Sequence, residues 1–216
     1  MTCLVKICGI TNLADAQAAI HAGADLLGFI FVETSPRHIS PRAANQIIET
    51  LPQSTKTVGV FQNEVLGVVN DVAMQLRLDY VQLHGHEQLD YCDQVSAPIV
   101  KVLSLDCDDS SFEQFKINCD IYSEDVEFIL VDRPKSALEP AEQWLQSAVK
   151  FLKTQNMHRP PLMFAGGLNC DNIRYVMDEL SPFGIDCASG IESSPGVKDH
   201  DKLKRFVEAI KGERVT

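Results

Sequence analysis

The sequence lacks both a long apolar run and an excess of basic residues. Its longest apolar stretch covers residues 26–32, far short of the ~20 residues that a membrane-spanning helix needs. Lysine and arginine number 19 against 30 aspartates and glutamates, and the formal net charge is -11. Because phosphate backbones and anionic membranes attract clustered cations, we expect neither a nucleic-acid nor a membrane partner. An anionic ligand would need a locally positive site, such as helix N-termini or an arginine.

The sequence also lacks the cysteine pattern of a disulfide-stabilised protein. Its seven cysteines are an odd number and include no C-x-x-C pair. In a chain of 216 residues, this pattern favours free thiols in a reducing compartment. Residues 1–11 show no charged segment followed by an apolar one, so no secretion signal is expected. These features together predict a cytoplasmic protein.

Short apolar runs alternate with longer amphipathic segments from one end of the chain to the other. The runs lack polar alternation, which is typical of parallel strands buried on both faces. They cover residues 4–7, 26–31, 57–61, 81–83, 99–103, 128–131, 162–165 and 184–188. Between them, apolar residues recur at helical spacing, for example at Ala44, Ile47 and Leu51. The helical pattern is weakest in the fifth segment, residues 109–115.

Several helix starts are marked by residues that cap helices. Asn12, Ser40 (before Pro41), Asn169 and Asp199 each precede an amphipathic segment, as N-cap residues do. Eight strand–helix units predict right-handed parallel crossovers. We therefore predict an α/β fold, a single (β/α)8 TIM barrel domain over residues 1–216, with an open doubly wound sheet as the alternative.

Reactive residues stand where the predicted strands end. In such a barrel the active site lies at the carboxyl ends of the strands. Cys8, Arg37, His84 and Asp132 follow different predicted strands and would meet at one mouth. Two glycine-containing loops follow the last two strands, with Gly166 and Gly167 in the first and with Ser189 and Gly190 in the second. Barrels often bind phosphate between these loops; plain turns are the alternative reading.

Seven ordered segments resemble those of the phosphoribosylanthranilate isomerase family. They read VKICGIT (residues 5–11), GFIF (28–31), SPRHIS (35–40), VGVF (58–61), VQLHG (81–85), FAGGLN (164–169) and SGIE with PGVKD (189–199). They extend over nearly the whole chain. The resemblance implies an Amadori rearrangement that converts an N-glycosidic aminoaldose phosphate into an aminoketose phosphate, a step of tryptophan biosynthesis.

The resemblance also implies roles for individual residues. Cys8 would be the general base and Asp132 the general acid, and the thiol would need a lowered pKa. Arg37 would grip the anthranilate carboxylate, with Gln82 and His84 as further substrate contacts. Phosphate would bind at the loops of Gly166, Gly167, Ser189 and Gly190. The implied partner is a small phosphorylated substrate, without cofactor or metal, on a monomer or homodimer.

Each of these residues also has a structural reading. Cys8 could be a buried small hydrophobe, Asp132 a loop cap and Arg37 a solvated charge. His84 and His86 could suggest a metal pair, but no third ligand stands at a familiar spacing. Lys101 could suggest a Schiff-base enzyme, but its place near the start of a strand predicts a lysine at the opposite face of the barrel.

One segment departs from the family. After the strand-six aspartate the family usually carries a glycine-rich loop, whereas residues 133–144 read RPKSALEPAEQW. Loss of glycine removes backbone freedom from a loop that should cover the substrate. A non-catalytic phosphosugar-binding relative is therefore one alternative. Another is the histidine-pathway isomerase, but its members usually pair two aspartates, and Cys8 argues against it.

Overall fold

The chain forms a closed parallel barrel of eight strands surrounded by helices. The computed structural model describes residues 3–154 and 160–212. Each strand pairs in parallel with the next, and the eighth pairs with the first. The strands are β1 (Leu4–Cys8), β2 (Leu26–Ile30), β3 (Lys56–Phe61), β4 (Tyr80–Leu83), β5 (Ile99–Ser104), β6 (Phe128–Asp132), β7 (Leu162–Phe164) and β8 (Gly184–Cys187). The predicted (β/α)8 barrel is confirmed, and the open sheet is excluded.

The helices cover the outside of the barrel. They are α1 (Leu13–Ala22), α2 (Pro41–Ile48), α3 (Leu66–Leu76), α4 (Leu89–Cys92), α5 (Asp109–Ile121), α6 (Ala141–Thr154), α7 (Ile173–Leu180) and α8 (His200–Lys211). The fourth is a single turn, and the fifth is longer than its weak pattern predicted. A short antiparallel pair, β9 (Glu192–Ser194) and β10 (Val197–Lys198), lies between β8 and α8. Among the described residues, we find no helix long and apolar enough to cross a membrane.

Three of the four predicted helix starts are confirmed by hydrogen bonds. The side chains of Asn12, Ser40 and Asp199 accept from backbone N–H groups in the first turns of α1, α2 and α8. Asn169 is different, because α7 begins only at Ile173. Its side-chain oxygen accepts from the N–H of Asp171 at 2.8 Å and so stabilises the turn that precedes the helix.

The barrel interior changes from apolar to polar toward the carboxyl ends of its strands. Its apolar part is formed by Leu26, Val58, Val100, Val102, Phe128, Leu130, Met163 and Ala165. Alternation along β1 and β8 places Lys6, Cys8 and Asp186 on the same inner side. The outward side chains pack against the helices in a much larger core. The barrel interior is thus filled by apolar side chains toward the amino ends of the strands and lined by polar groups toward their carboxyl ends.

The prediction that Lys101 lies at the opposite face of the barrel is wrong. Its strand neighbours Val100 and Val102 point inward, so Lys101 points toward the helices. Its long side chain then reaches the loop after β4. There its Nζ atom lies 2.7 Å from Oε2 of Glu87 and 3.0 Å from the carbonyl oxygen of Gly85. Both side chains of this ion pair are only 2% exposed.

Candidate active site

A cavity of about 400 Å³ opens at the carboxyl ends of the strands, within the size range of small-molecule sites. It brings together eight of the nine predicted site residues: Cys8, Arg37, Gln82, His84, Asp132, Gly166, Gly167 and Ser189. These residues come from six different strand–helix connections. The geometry of the barrel, rather than any local motif, therefore assembles the site.

Cys8 ends β1 and presents its thiol at the floor of this cavity. The residue is only 5% exposed, and burial raises the pKa of its thiol, an effect that the Lys6 ammonium group only partly counteracts. The pKa of Cys8 is therefore shifted away from the direction that the role of a general base would need. The reason is desolvation, since a buried sulfur loses the water that would stabilise its thiolate.

Asp132 ends β6 and faces the same cavity with its carboxyl group partly exposed. One carboxyl oxygen, Oδ1, accepts from the backbone N–H of Arg133 at 2.8 Å. The other, Oδ2, lies 3.4 Å from Nε2 of His84. Backbone and imidazole therefore fix the orientation of the carboxyl group, while its partial exposure leaves it open to a ligand.

Gln82 projects from β4 into the cavity and is only 2% exposed. Its Oε1 atom is buried and finds no hydrogen-bond donor within the described part of the chain. A buried acceptor without a partner is costly, by about 1–3 kcal/mol. A ligand that donates a hydrogen bond to Gln82 would remove this cost.

Arg37 lies on the cavity wall and is held by a carboxylate that the sequence did not reveal. Its Nε and Nη2 atoms donate to the two oxygens of Glu192 at 2.8 and 2.7 Å. Hydrogen bonding to Glu192 raises the pKa of Arg37. Glu192 also accepts from Nζ of Lys198 at 3.0 Å. Within residues 3–154 and 160–212, Nη1 of Arg37 donates to no protein group, which leaves this side of the guanidinium for a ligand.

The loops after β7 and β8 present unpaired backbone N–H groups. Gly166 and Gly167 have φ angles of 92° and 79°, a left-handed conformation that favours glycine. Ser189 begins a 3-10 turn. Among the described residues, no acceptor is hydrogen-bonded to the N–H groups of these three. Free N–H groups at adjacent loops form a concavity suited to an anion.

Gly190 alone among the predicted site residues does not line the cavity. A Cβ atom on it would lie 1.8 Å from the carbonyl oxygen of Leu168. Glycine is therefore required here because the two loops touch backbone to backbone. Its contribution is to bring the loops together, whereas Gly166, Gly167 and Ser189 face the cavity.

The loop after Asp132, which departs from the family, is held together by the side chain of its first residue, Arg133. Nη2 of Arg133 donates to the carbonyl oxygens of Ala137 and Glu139. The backbone of Arg133 also packs on Gly166, where a Cβ atom would lie 2.8 Å from its nitrogen. Trp144 is fully buried beneath the loop, and its indole N–H donates to the carbonyl oxygen of Leu105 at 2.6 Å. An arginine thus gives shape to a loop that lacks glycine.

Four charged residues around the site were not predicted from the sequence: Lys6, Asp186, Glu192 and Lys198. Lys6 stands two positions before Cys8 on β1, so strand alternation alone places both on the inner face. The same rule places Asp186 inside the barrel. No comparable signal exists for Glu192 and Lys198, because their contacts depend on how β9 and β10 fold back over the barrel mouth.

Comparisons with known proteins agree with this geometry. The family model described as N-(5'-phosphoribosyl)anthranilate (PRA) isomerase matches residues 5–209. The N-(5'-phosphoribosyl)anthranilate isomerase of Geobacter sulfurreducens is 38% identical over 211 residues, covering 96% of this chain and 98% of the relative. That of Pelobacter propionicus is 39% identical over 214 residues, covering 97% and 96%.

Solved structures extend the likeness to the fold. Phosphoribosyl anthranilate isomerase from Thermotoga maritima is 33% identical, with a TM-score of 0.85 over 98% of this chain and all of that one. A complex of such an isomerase with reduced 1-(o-carboxyphenylamino)-1-deoxyribulose 5-phosphate is 34% identical, with a TM-score of 0.80 and the same coverage. These matches do not favour the non-catalytic alternative. The chain belongs to the N-(5'-phosphoribosyl)anthranilate isomerase family.

Proposed function

We propose that this protein converts N-(5'-phosphoribosyl)anthranilate into 1-(2-carboxyphenylamino)-1-deoxyribulose 5-phosphate, with Cys8 as general base and Asp132 as general acid. The observation that carries the proposal is their convergence. A thiol at the end of β1 and a carboxyl group at the end of β6 face one cavity. N–H groups that have no acceptor among the described residues line that cavity, as does a guanidinium group.

The reaction needs only proton transfers and electron shifts within the substrate. Asp132 donates a proton to the ribose ring oxygen, and the C–O bond to the anomeric carbon breaks. The nitrogen lone pair then forms an iminium ion. Cys8, as thiolate, removes the proton from the neighbouring ribose carbon, and the electron pair of that C–H bond neutralises the iminium ion to give an enolamine. Tautomerisation yields the ketone, so the scheme invokes no cofactor or metal.

Binding of the substrate follows from the free groups of the cavity. Its phosphate group accepts from the N–H groups of Gly166, Gly167 and Ser189, with Gly190 holding their loops together. Its carboxylate accepts from Nη1 of Arg37, the guanidinium atom that Glu192 leaves free. A sugar hydroxyl donates to Oε1 of Gln82, which has no donor among the described residues. His84 lies against the acid and completes the wall.

Compartment and assembly belong to the same proposal. All seven cysteines are free thiols, which supports a reducing cytoplasm as the site of action. One related crystal structure is described as that of monomers generated from the dimeric phosphoribosylanthranilate isomerase of Thermotoga maritima. Monomer and homodimer are therefore both compatible with an active barrel, since the proposed site draws its residues from one chain.

A turnover assay tests the function. Phosphoribosylanthranilate is generated fresh from anthranilate, and loss of its fluorescence is followed after addition of the purified protein. We expect turnover in the range of ordinary enzymes, about 1 s⁻¹ or above. Absence of turnover by folded protein that still binds the reduced product analogue would support the non-catalytic alternative. Conversion of the histidine-pathway aminoaldose phosphate instead would reassign the substrate.

A further inference from the structure

Lys6 is a buried lysine that lies directly beside the proposed base. It stands on β1 two residues before Cys8, and its side chain is fully buried inside the barrel. Both side chains occupy the space left by Gly28 on β2. A Cβ atom on that glycine would lie 2.8 Å from Sγ of Cys8 and 3.0 Å from Nζ of Lys6. The ammonium group and the sulfur therefore border the same small space inside the barrel.

A buried ammonium group needs a compensating partner, because its desolvation costs several kcal/mol. Lys6 has such a partner in Asp186 on β8, with Nζ 3.0 Å from Oδ1. Although burial favours the neutral amine, Asp186 and Cys8 hold the pKa of Lys6 above its ordinary value. The protonated form of Lys6 is therefore favoured next to the thiol.

Closure of the barrel does not account for this ion pair. Lys6 and Asp186 are already partners in the parallel ladder between β1 and β8. Their side chains add little to the connection of two strands that backbone hydrogen bonds join. The Lys101–Glu87 pair differs in this respect, since it fastens β5 to the loop after β4. What Lys6 adds is a charge at the sulfur.

We propose that Lys6 is a positioning residue whose ammonium group, fixed by Asp186, stabilises the thiolate form of Cys8 on which the proposed proton transfer depends. The proposal rests on the function proposed above, in which Cys8 removes a proton from a ribose carbon. Lys6 does not touch that carbon. It acts by stabilising the charge that the sulfur carries before the proton transfer.

Other charged and titratable groups face the same sulfur or its partners, and they set the sign of each test. They are Asp186 and Cys187 from β8, Lys198 from β10, Glu192 from β9, Arg37 from the loop after β2 and Asp132 from β6. Lys198 lies close, with Nζ 2.6 Å from the carbonyl oxygen of Cys8 itself. Burial raises the pKa of Cys8, Lys6 and Lys198 lower it, and Asp186 raises it. Removal of Lys6 should thus raise the pKa of Cys8, whereas removal of the Asp186 charge would have two opposing effects, since Asp186 both repels the thiolate and supports the charge of Lys6.

The test reads the ionisation of Cys8 without turnover. Full-length protein is treated with iodoacetamide between pH 6 and pH 10, and alkylation of Cys8 is followed in its own peptide by mass spectrometry. The pH midpoint is compared, since access of the reagent changes the absolute rate but not the midpoint. In Lys6→Met we expect a higher midpoint and at least a tenfold lower thiolate fraction at pH 8.

Lys101→Met is the matched control. It removes a lysine that is almost as deeply buried as Lys6 from a buried carboxylate, but on the outer side of the barrel. We expect it to lower stability and to leave the Cys8 midpoint unchanged. In the turnover assay, Lys6→Met should lower kcat at least tenfold with little change in KM, and the loss should diminish at high pH as the thiol ionises.

An unchanged midpoint in Lys6→Met would overturn the proposal. Should that variant not fold, Lys6→Gln takes its place, because it keeps a hydrogen-bonding side chain beside Asp186 but carries no charge: a higher midpoint supports the proposal, and an unchanged or lower midpoint contradicts it. The fate of the proposed function is read separately. If the midpoints move as expected but Cys8→Ser retains full turnover, Cys8 is not the base, while the control of its ionisation by Lys6 stands.

Discussion

The backbone of Gly190 lies so close to the carbonyl oxygen of Leu168 that a Cβ atom at residue 190 would overlap with that oxygen. The loops after β7 and β8 therefore touch backbone to backbone. The contact leaves no room for any side chain at residue 190. It also fixes the distance between the two sets of N–H groups that we assign to the phosphate. The conformation of the anion site therefore depends on a glycine that does not itself line the cavity.

Gly190→Ala should consequently damage both stability and phosphate binding. The new methyl group would have to push two loops apart, and overpacking of this kind typically costs about 1–3 kcal/mol. We expect urea unfolding to show a loss at the upper end of this range and turnover to show a raised KM. Gly67→Ala is the control, since nothing lies within 4 Å of that position on α3. It should raise stability by about 0.5 kcal/mol.

Arg37→Met should weaken binding through the substrate carboxylate. A hydrogen bond to a charged group contributes about 1.5–3 kcal/mol, so KM should rise roughly 10- to 100-fold, with a smaller change in kcat. With a substrate analogue built on aniline, which lacks the carboxylate, KM should be nearly the same for Arg37→Met and for the unchanged protein. Equal losses with both substrates would show that Arg37 supports the fold through Glu192 instead of binding the carboxylate.

Glu87 should make stability depend on pH in the acid range. Although burial opposes it, hydrogen bonding to Lys101 and to backbone N–H groups holds the pKa of Glu87 below its ordinary value. Its contribution is complete above the ordinary glutamate pKa of about 4.3 and is lost as the pH falls through the lower value of the folded state. Removal of one partner from a buried pair costs about 3–5 kcal/mol.

The measurement compares Glu87→Gln with the unchanged protein by urea unfolding at several pH values. The stability difference should be largest near pH 7 and should shrink below about pH 4, where the native carboxylate gains its proton. A difference that does not vary between pH 7 and pH 3 would mean that the charge of Glu87 contributes nothing.

Arg133→Met should loosen the loop over the cavity. The substitution removes two hydrogen bonds from a guanidinium group to backbone carbonyls, at a cost of about 1–3 kcal/mol to the folded loop. We expect KM to rise and kcat to fall several-fold. Leu138→Ala, at a side chain in the same loop that is 99% exposed, should change neither. Equal kcat and KM values for the two variants would show that Arg133 does not hold the loop in place.

Most of the fold was predictable because the strand–helix unit of a parallel barrel is repeated along the sequence. Each strand is mostly apolar and each helix carries one apolar stripe, so errors at single boundaries do not change the architecture. The weak pattern before α5 and the single turn of α4 did not alter the count of units. The site residues at strand ends followed from that count.

The parts that escaped prediction depend on contacts between distant segments. The guanidinium of Arg37 is shared with Glu192, and Glu192 becomes a neighbour only when β9 and β10 fold over the mouth of the barrel. The direction of Lys101 follows from the inward or outward phase of β5, which its sequence of consecutive apolar residues does not reveal. The raised pKa of Cys8 reflects a depth of burial that local sequence cannot give.

The most direct test of the central claim separates binding from chemistry. Cys8→Ser and Asp132→Asn are compared with the unchanged protein for turnover of phosphoribosylanthranilate and, by calorimetry, for binding of the reduced product analogue. General acid–base catalysis predicts kcat losses of roughly 10²- to 10⁴-fold for each variant, with the dissociation constant of the analogue changed by less than about tenfold. Turnover that survives either substitution at near full rate would contradict the assignment of base and acid at this site.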